Sequence, residues 1–398
     1  MAIGNAPFRQ PWGIDAVEPI PAFTLSCHTD VHFGCGVHQD LLALIPAQVN
    51  TIVVVKGVSN APSAPVRLLL SNAGYSPIEV ACAGEPSIRS INAILEKITH
   101  TSIDCIVACG GGSTMDTAKA LRVALQKGAP LTDGDFATRH DTPSAIALIV
   151  VPTTAGTGAE VTANAVLGAN EMDAKVSLRG RTLQPDTALV DPDLLRSAPK
   201  SVVLHAGLDA VVQNIEAACS ALATPFTRAL SGPAIPSTLR ALRDVLEEDS
   251  PAAWSQLAWG SLSSGIALAN GGLGAVHGLA SILGGAYQAP HGALCGRLLT
   301  PVLRANLAAP NCPYEARQSL LTSQAVLRDL FAPVDPDDPL SGFDAWLSMQ
   351  GLPRLSHWGV NPEHITALAK AATGASSSLK NPVQLDAAAL TQVLRAAL

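Results

Sequence analysis

Charge and aromatic rings are both scarce in this 398-residue chain: Asp, Glu, Lys and Arg make up 14% of it, and Phe, Trp and Tyr only 4%. The formal net charge of −7 is spread without a long acidic or basic run, so nucleic-acid binding gets no support. The eight cysteines, at positions 27, 35, 82, 105, 109, 219, 295 and 312, form no C-x-x-C pair and read as reduced core thiols, Cys105 and Cys109 lying inside an apolar strand-like run. The opening MAIGNAPFRQPWGID lacks a basic region followed by an apolar one, so no secretory signal is visible and the expected location is the cytoplasm. Internal repeats and low-complexity segments are absent as well.

What the chain has in quantity is apolar material, 48% of its residues. A chain this long exceeds what one core usually serves, so two domains are expected. The thin charge suggests that a sister subunit covers part of the surface, and a homo-oligomer, a dimer, is expected. Residues 265–287, GIALANGGLGAVHGLASILGGAY, have the apolar length of a membrane span. Their glycines and His277 argue instead for close-packed buried helices, with no membrane partner.

Apolar runs rich in Val and Ile at 51–57, 78–83 and 103–112 alternate with helical periodicity in VRLLLSNAG and SIRSINAILEKI. Further strands are expected at 145–152 and 187–191. Continuous apolar strands of this kind belong to a parallel sheet covered on both faces, the doubly wound α/β architecture. After Asp191-Pro192 the segments VLHAGLDAVVQNIEAACSALA, WSQLAWGSLSSGIALA, PHGALCGRLLTPVLRANLA and HITALAKAATG all read as helices. The expectation is an α/β nucleotide-binding domain over 1–195 and an all-helical domain over 196–398, with a Pro- and Asp-rich turn at 332–340.

Strand IDCIVACG runs straight into Gly110-Gly111-Gly112-Ser113 and then a helix, TMDTAKAL. Successive glycines let backbone N–H groups approach a phosphate, and the helix adds its positive end. The same turn also serves as a plain strand-to-helix connection. A second polar loop, IVVPTTAGTGAEVT, sets Thr153, Thr154 and Thr157 at a strand's carboxyl end, where open α/β sheets bind ligands; alone it reads equally as a loop with ST-turns.

In the helical half, His277 and His291 lie in an uncharged, glycine-rich stretch, NGGLGAVHGLASILGGAYQAPH. Upstream, HAGLDAVVQNIEAA places Asp209 and Gln213 four apart, on one helix face. A carboxylate and two histidines suffice for a divalent cation, and two satisfied core imidazoles are the competing reading.

GGGSTMDTAK, VPTTAGTGAEVT, Asp209, His277 and the PHG at 290–292 together resemble the iron-containing alcohol dehydrogenase family, also called group III, and the likeness runs from the HFGCG turn at 32–36 to the C-terminus. The resemblance implies an active site in the cleft between the two domains. It implies that Gly110, Gly111, Gly112, Ser113 and Asp116 hold the pyrophosphate and its surroundings, and that Thr153, Thr154, Thr157 and Lys175 contact ribose and nicotinamide. Where many members carry an Asp for the adenosine ribose, TIVVVKGVSN has Gly57, with Lys56, Ser59 and Asn60 beside it. A missing carboxylate removes repulsion toward a 2′-phosphate, so NAD(P) is expected with a lean to NADP.

The family's metal set of Asp and three His becomes Asp209, Gln213, His277 and His291, for Fe²⁺ or Zn²⁺. Ser281 stands where many members carry a proton-relaying histidine, and with His277 it forms the expected catalytic pair; His205 is a possible substitute that reads as a packed helix residue. The implied activity is hydride transfer between nicotinamide and a small alcohol or aldehyde. The alternatives are a metal-independent maleylacetate-type reductase, a lyase of the dehydroquinate synthase type, and a non-catalytic descendant.

Overall fold

The computed structural model describes residue 20 and residues 22–169 and 175–398. The stretch 1–15, read above for a secretory signal, lies outside them. In chain order the first half holds β1 (Asp30–Phe33), α1 (Leu41–Leu44), β2 (Ile52–Gly57), α2 (Ala64–Asn72), β3 (Ile78–Cys82), α3 (Ile88–Ile98), β4 (Cys105–Gly110), α4 (Gly112–Lys127), β5 (Ala147–Pro152), β6 (Asn164–Gly168), β7 (Lys175–Arg179) and β8 (Thr187–Val190). Six strands form a parallel sheet in the order β1-β8-β5-β4-β2-β3, while β6 and β7 pair as a separate antiparallel hairpin.

The sheet is apolar on both faces because both are covered. Cys105, Val107 and Cys109 of β4 point with Val54, Ile149 and Val151 toward Leu41, Val66 and Leu70 of α1 and α2. Ile106 and Ala108 point the other way, toward Ile91, Leu95 and Leu121 of α3 and α4. α3 starts at a capping box, the Ser87 and Ser90 side chains each accepting from the other's backbone N–H, and buries Ile88, Ile91, Leu95 and Ile98 on one stripe. Successive strands are added to one side of β2 as far as β3 and to the other side from β4 onward, so the winding of the sheet reverses between β2 and β4. Their carboxyl ends, Gly57 and Gly110, therefore flank the crevice where such sheets take ligands.

The second half is helical: α5 (Pro192–Leu195), α6 (Lys200–Cys219), α7 (Pro225–Glu248), α8 (Pro251–Gly271), α9 (Ala275–Tyr287), α10 (His291–Ala308), α11 (Tyr314–Leu330), α12 (Ser341–Met349), α13 (Ile365–Thr373) and α14 (Ala387–Ala397). One apolar core continues from the α3/α4 face of the sheet (Ala108, Val150, Val190) through Leu204, Leu208 and Trp254 to Leu279, Leu298 and Phe343. Among the described residues no single helix is long and apolar enough to cross a membrane; α8 and α9 pass that test only together, and they meet at 99°.

Several expectations need amendment. DVHF, too short and polar to read as a strand, is the edge strand β1, so the HFGCG turn begins inside it. α7 contains Pro233 and Pro236, which argue against a helix in sequence, yet Ile235, Leu239 and Leu242 bury its stripe in the shared core. The thiols are not all core residues: Cys27 and Cys35 are exposed, Cys82 and Cys312 half-buried. Burial pushes the thiols of Cys105 and Cys109 up to about 12, the behaviour expected of inert packing groups.

Candidate active site

The glycine turn and the threonine loop meet. Gly110 ends β4, Gly111 caps α4 without a capping side chain, and Gly112 and Ser113 form the first turn of α4. A Cβ added at Gly111 would lie 2.9 Å from Thr154 Oγ1, and one at Gly112 2.8 Å from Thr157 Cγ2. The backbone of this helix start is thus bare, with hydroxyls facing it from the loop after β5, where Thr153 follows directly. Such a cradle fits a dinucleotide pyrophosphate. Asp116, one turn along α4, accepts the Val166 N–H at 3.0 Å, and desolvation, against the pull of Lys119, raises its carboxyl to about 6. At the end of β2, Gly57 opens the loop bearing Ser59 and Asn60, and Lys56 Nζ donates to Asn60 Oδ1 at 2.7 Å and stands 4.0 Å from Glu79.

The threonine loop also seats on the helical half. A Cβ at Gly156 would meet Ala206 of α6 at 3.0 Å, and Gly158, at φ 60°, abuts Gly265 of α8. Lys175 opens β7, pairs with Glu85, and its Nζ would lie 3.6 Å from a Cβ at Gly284 of α9. Groups expected to touch cofactor therefore border the helices that carry the expected metal ligands.

Asp209 on α6, His277 on α9 and His291 at the start of α10 converge, with Asp209 Oδ1 3.1 Å from His277 Nε2 and 3.8 Å from His291 Nε2. Gly292 makes this approach possible: a Cβ there would run into the carbonyl of His205 on α6 and lie 3.3 Å from Asp209 Cβ. The side chains of His277 and Asp209 are 6% and 4% exposed against 37% for His291, so the cluster opens to solvent on the His291 side. Ligands held about 2.0–2.3 Å from one tetrahedral ion lie about 3.3–3.8 Å apart, and the donor set of one carboxylate and two imidazoles suits Fe²⁺ or Zn²⁺. The residues fit a cation.

Two partners in this cluster escaped the sequence reading. Glu216, two turns beyond Asp209 on α6, sits 2.7 Å from His277 Nδ1 and accepts the Val276 N–H at 2.7 Å. Cys295, one turn into α10, joins Asp209, His277 and His291 so that one ligand atom of each lies within 4.8 Å of the others. Burial opposes the Asp209 charge, but the His277 hydrogen bond and both imidazoles outweigh it and hold its carboxyl below the usual range. His277 is likewise disfavoured as a cation by burial, yet Cys295, Asp209 and Glu216 lift it well above an ordinary imidazole.

The other expected site residues stand close by along the helices. Gln213, one turn after Asp209, is buried and its Oε1 accepts from Ser264 Oγ at 2.7 Å. Ser281, one turn after His277, is exposed and donates to the Gly278 carbonyl at 2.9 Å. Burial lowers the His205 imidazole.

Comparison with known proteins follows the same two halves. Residues 28–192 match the iron-containing alcohol dehydrogenase family, and residues 203–398 the C-terminal part of the Fe-containing alcohol dehydrogenase family. A probable alcohol dehydrogenase EutG from Salmonella typhimurium is 32% identical over 78% of this chain and 77% of its own. An NAD-dependent methanol dehydrogenase from Bacillus methanolicus is 27% identical over 79% and 82%. The iron containing alcohol dehydrogenase structure from Thermococcus thioreducens superposes with a TM-score of 0.81, at 25% identity, over 94% of this chain and 99% of that one. With family models matching residues 28–192 and 203–398, the chain belongs to the iron-containing alcohol dehydrogenase family.

Proposed function

We propose that the protein transfers hydride between the nicotinamide of NAD(P) and a small alcohol or aldehyde, with a divalent cation, Fe²⁺ or Zn²⁺, held by Asp209, His277 and His291. The convergence of these three side chains from three helices, beside the loops that fit a dinucleotide, carries the proposal. When bound, the cation supplies Lewis acidity toward the carbonyl oxygen and the cofactor supplies or accepts the hydride.

The protein's own share is position and charge. Asp209 brings the anionic oxygen that offsets the cation. Glu216 accepts the Nδ1–H of His277, so that, with the Nε2 proton displaced by a cation, the Nε2 lone pair is directed toward Asp209 and His291. Gly111, Gly112 and Ser113 offer backbone amides to the pyrophosphate. Thr153, Thr154, Thr157 and Lys175 border the space between them and α9, where ribose and nicotinamide are expected. Ser281 is the hydroxyl nearest in sequence to His277 for passing a proton, and to do so it must release the Gly278 carbonyl.

A preference for NADP belongs to the same proposal. No carboxylate stands at Gly57, while Lys56 places an ammonium at the loop; its neighbour Glu79, engaged by Arg67 at 2.6 Å, moderates the attraction. The deciding measurement is elemental analysis of protein purified without chelator, together with NADPH and NADH oxidation against small aldehydes. One equivalent of metal and metal-dependent turnover are expected. Full activity without metal, on carboxylated enones, would replace this reading with the maleylacetate-type one.

A further inference from the structure

Four protein ligands were expected around the cation, and Gln213 is the weak member: its amide oxygen is neutral and already accepts the Ser264 hydroxyl at 2.7 Å. We propose that Cys295 is the fourth ligand, so that the ion is held by one carboxylate, two imidazoles and a thiolate; this rests on the metal reading above.

The geometry is specific. Cys295 Sγ lies 3.6 Å from His291 Nε2 and 3.8 Å from His277 Nε2, within the spread of edges that a tetrahedral ion imposes, about 3.3–3.8 Å. Cys295 and His291 stand four residues apart on α10 and so leave the helix on the same side, toward Asp209. The sulfur is fully buried, which shields a thiolate from oxidants. Other buried thiols in the protein have different company: Cys109 faces the Pro62 carbonyl at 3.8 Å and Cys219 the Glu216 carbonyl at 3.6 Å. Coordination breaks the Cys295 S–H bond, forms a sulfur–metal bond and releases one proton to solvent; no oxidation is involved. A thiolate also tilts the site from Fe²⁺ toward Zn²⁺.

Co²⁺ titration of the metal-free full-length protein tests this. Visible d–d bands saturating at one equivalent, joined by a near-ultraviolet thiolate-to-cobalt charge-transfer band, are expected. Cys295→Ser is expected to keep the d–d bands, lose the charge-transfer band, and weaken Zn²⁺ binding about tenfold or more in competition with a chelator. Gln213→Ala is expected to keep the band. Saturating d–d bands without charge transfer in the wild-type protein, or a band that survives in Cys295→Ser, would overturn the thiolate and leave the metal reading standing. No Co²⁺ uptake by the wild-type protein would overturn both. The wild-type spectrum decides even where the variant fails to fold.

Discussion

At the scale of single residues, the site depends on groups that never touch substrate. Glu216 fixes His277 through Nδ1, and removing its charge loosens both the tautomer and the donor strength of Nε2. Glu216→Gln is expected to fold normally and to lose about 10–100-fold in metal affinity, read by chelator competition. On the cofactor side, Lys56→Ala is expected to raise the KM for NADPH about tenfold while leaving that for NADH within about twofold, as steady-state kinetics would show. An equal effect on both cofactors would mean that Lys56 only supports the loop through Asn60. Much of this was visible in the sequence: Asp209, His277 and His291 stand out as polar groups in apolar surroundings. Glu216 and Cys295 share helix faces with Asp209 and His291, at spacings of seven and four. They were overlooked because a carboxylate amid a long helix reads as a solvated face, and a lone thiol in an apolar helix as packing material.

Among elements, the strands were the most legible part. Runs such as IVVVKG and CIVACG have no polar alternate positions, and only a sheet buried on both faces asks for that. β1, the β6–β7 hairpin and α7 were illegible for separate reasons: four residues are too few for a period, a hairpin flanking 170–174 has no clean alternation, and prolines mask a helix that tertiary packing stabilises. Glycines at helix contacts were legible as small residues but not as spacers. Gly292→Ala tests one such contact, because its Cβ would collide with the His205 carbonyl and push α10 away from α6. A loss of about 1–3 kcal/mol in stability, with loss of bound metal, is expected from thermal unfolding and elemental analysis.

Elements also trap charge. Lys119 of α4 is fully buried, bonded to the Thr162 and Asn164 carbonyls at 2.8 and 3.0 Å, with Glu160 nearby. Desolvation raises the Glu160 carboxyl from 4.5 to about 7, against the attraction of Lys119. Folding therefore favours the protonated acid: its contribution is complete below pH 4.5 and is lost as pH rises through about 7. Glu160→Gln is expected to melt at a higher temperature than the wild-type protein at pH 8 and to gain less at pH 5. The same gain at both pH values would remove the titration from the account.

For the whole molecule, a low share of charged residues and an edge strand β1 that among the described residues pairs only with β8 favour association with a second copy, and light scattering is expected to give the mass of a dimer. Within one subunit, the apolar core that passes from Val150 and Val190 through Leu204 and Trp254 into the helical half welds the two halves together. The first half keeps a smaller cluster of its own on the α1/α2 face of the sheet, but most buried apolar residues of the helical half lie in the shared core. Calorimetry should accordingly record one endotherm instead of two, and traffic of cofactor and product through the cleft must be managed by side chains and loops, since swinging one half away would tear open hydrocarbon that both halves share.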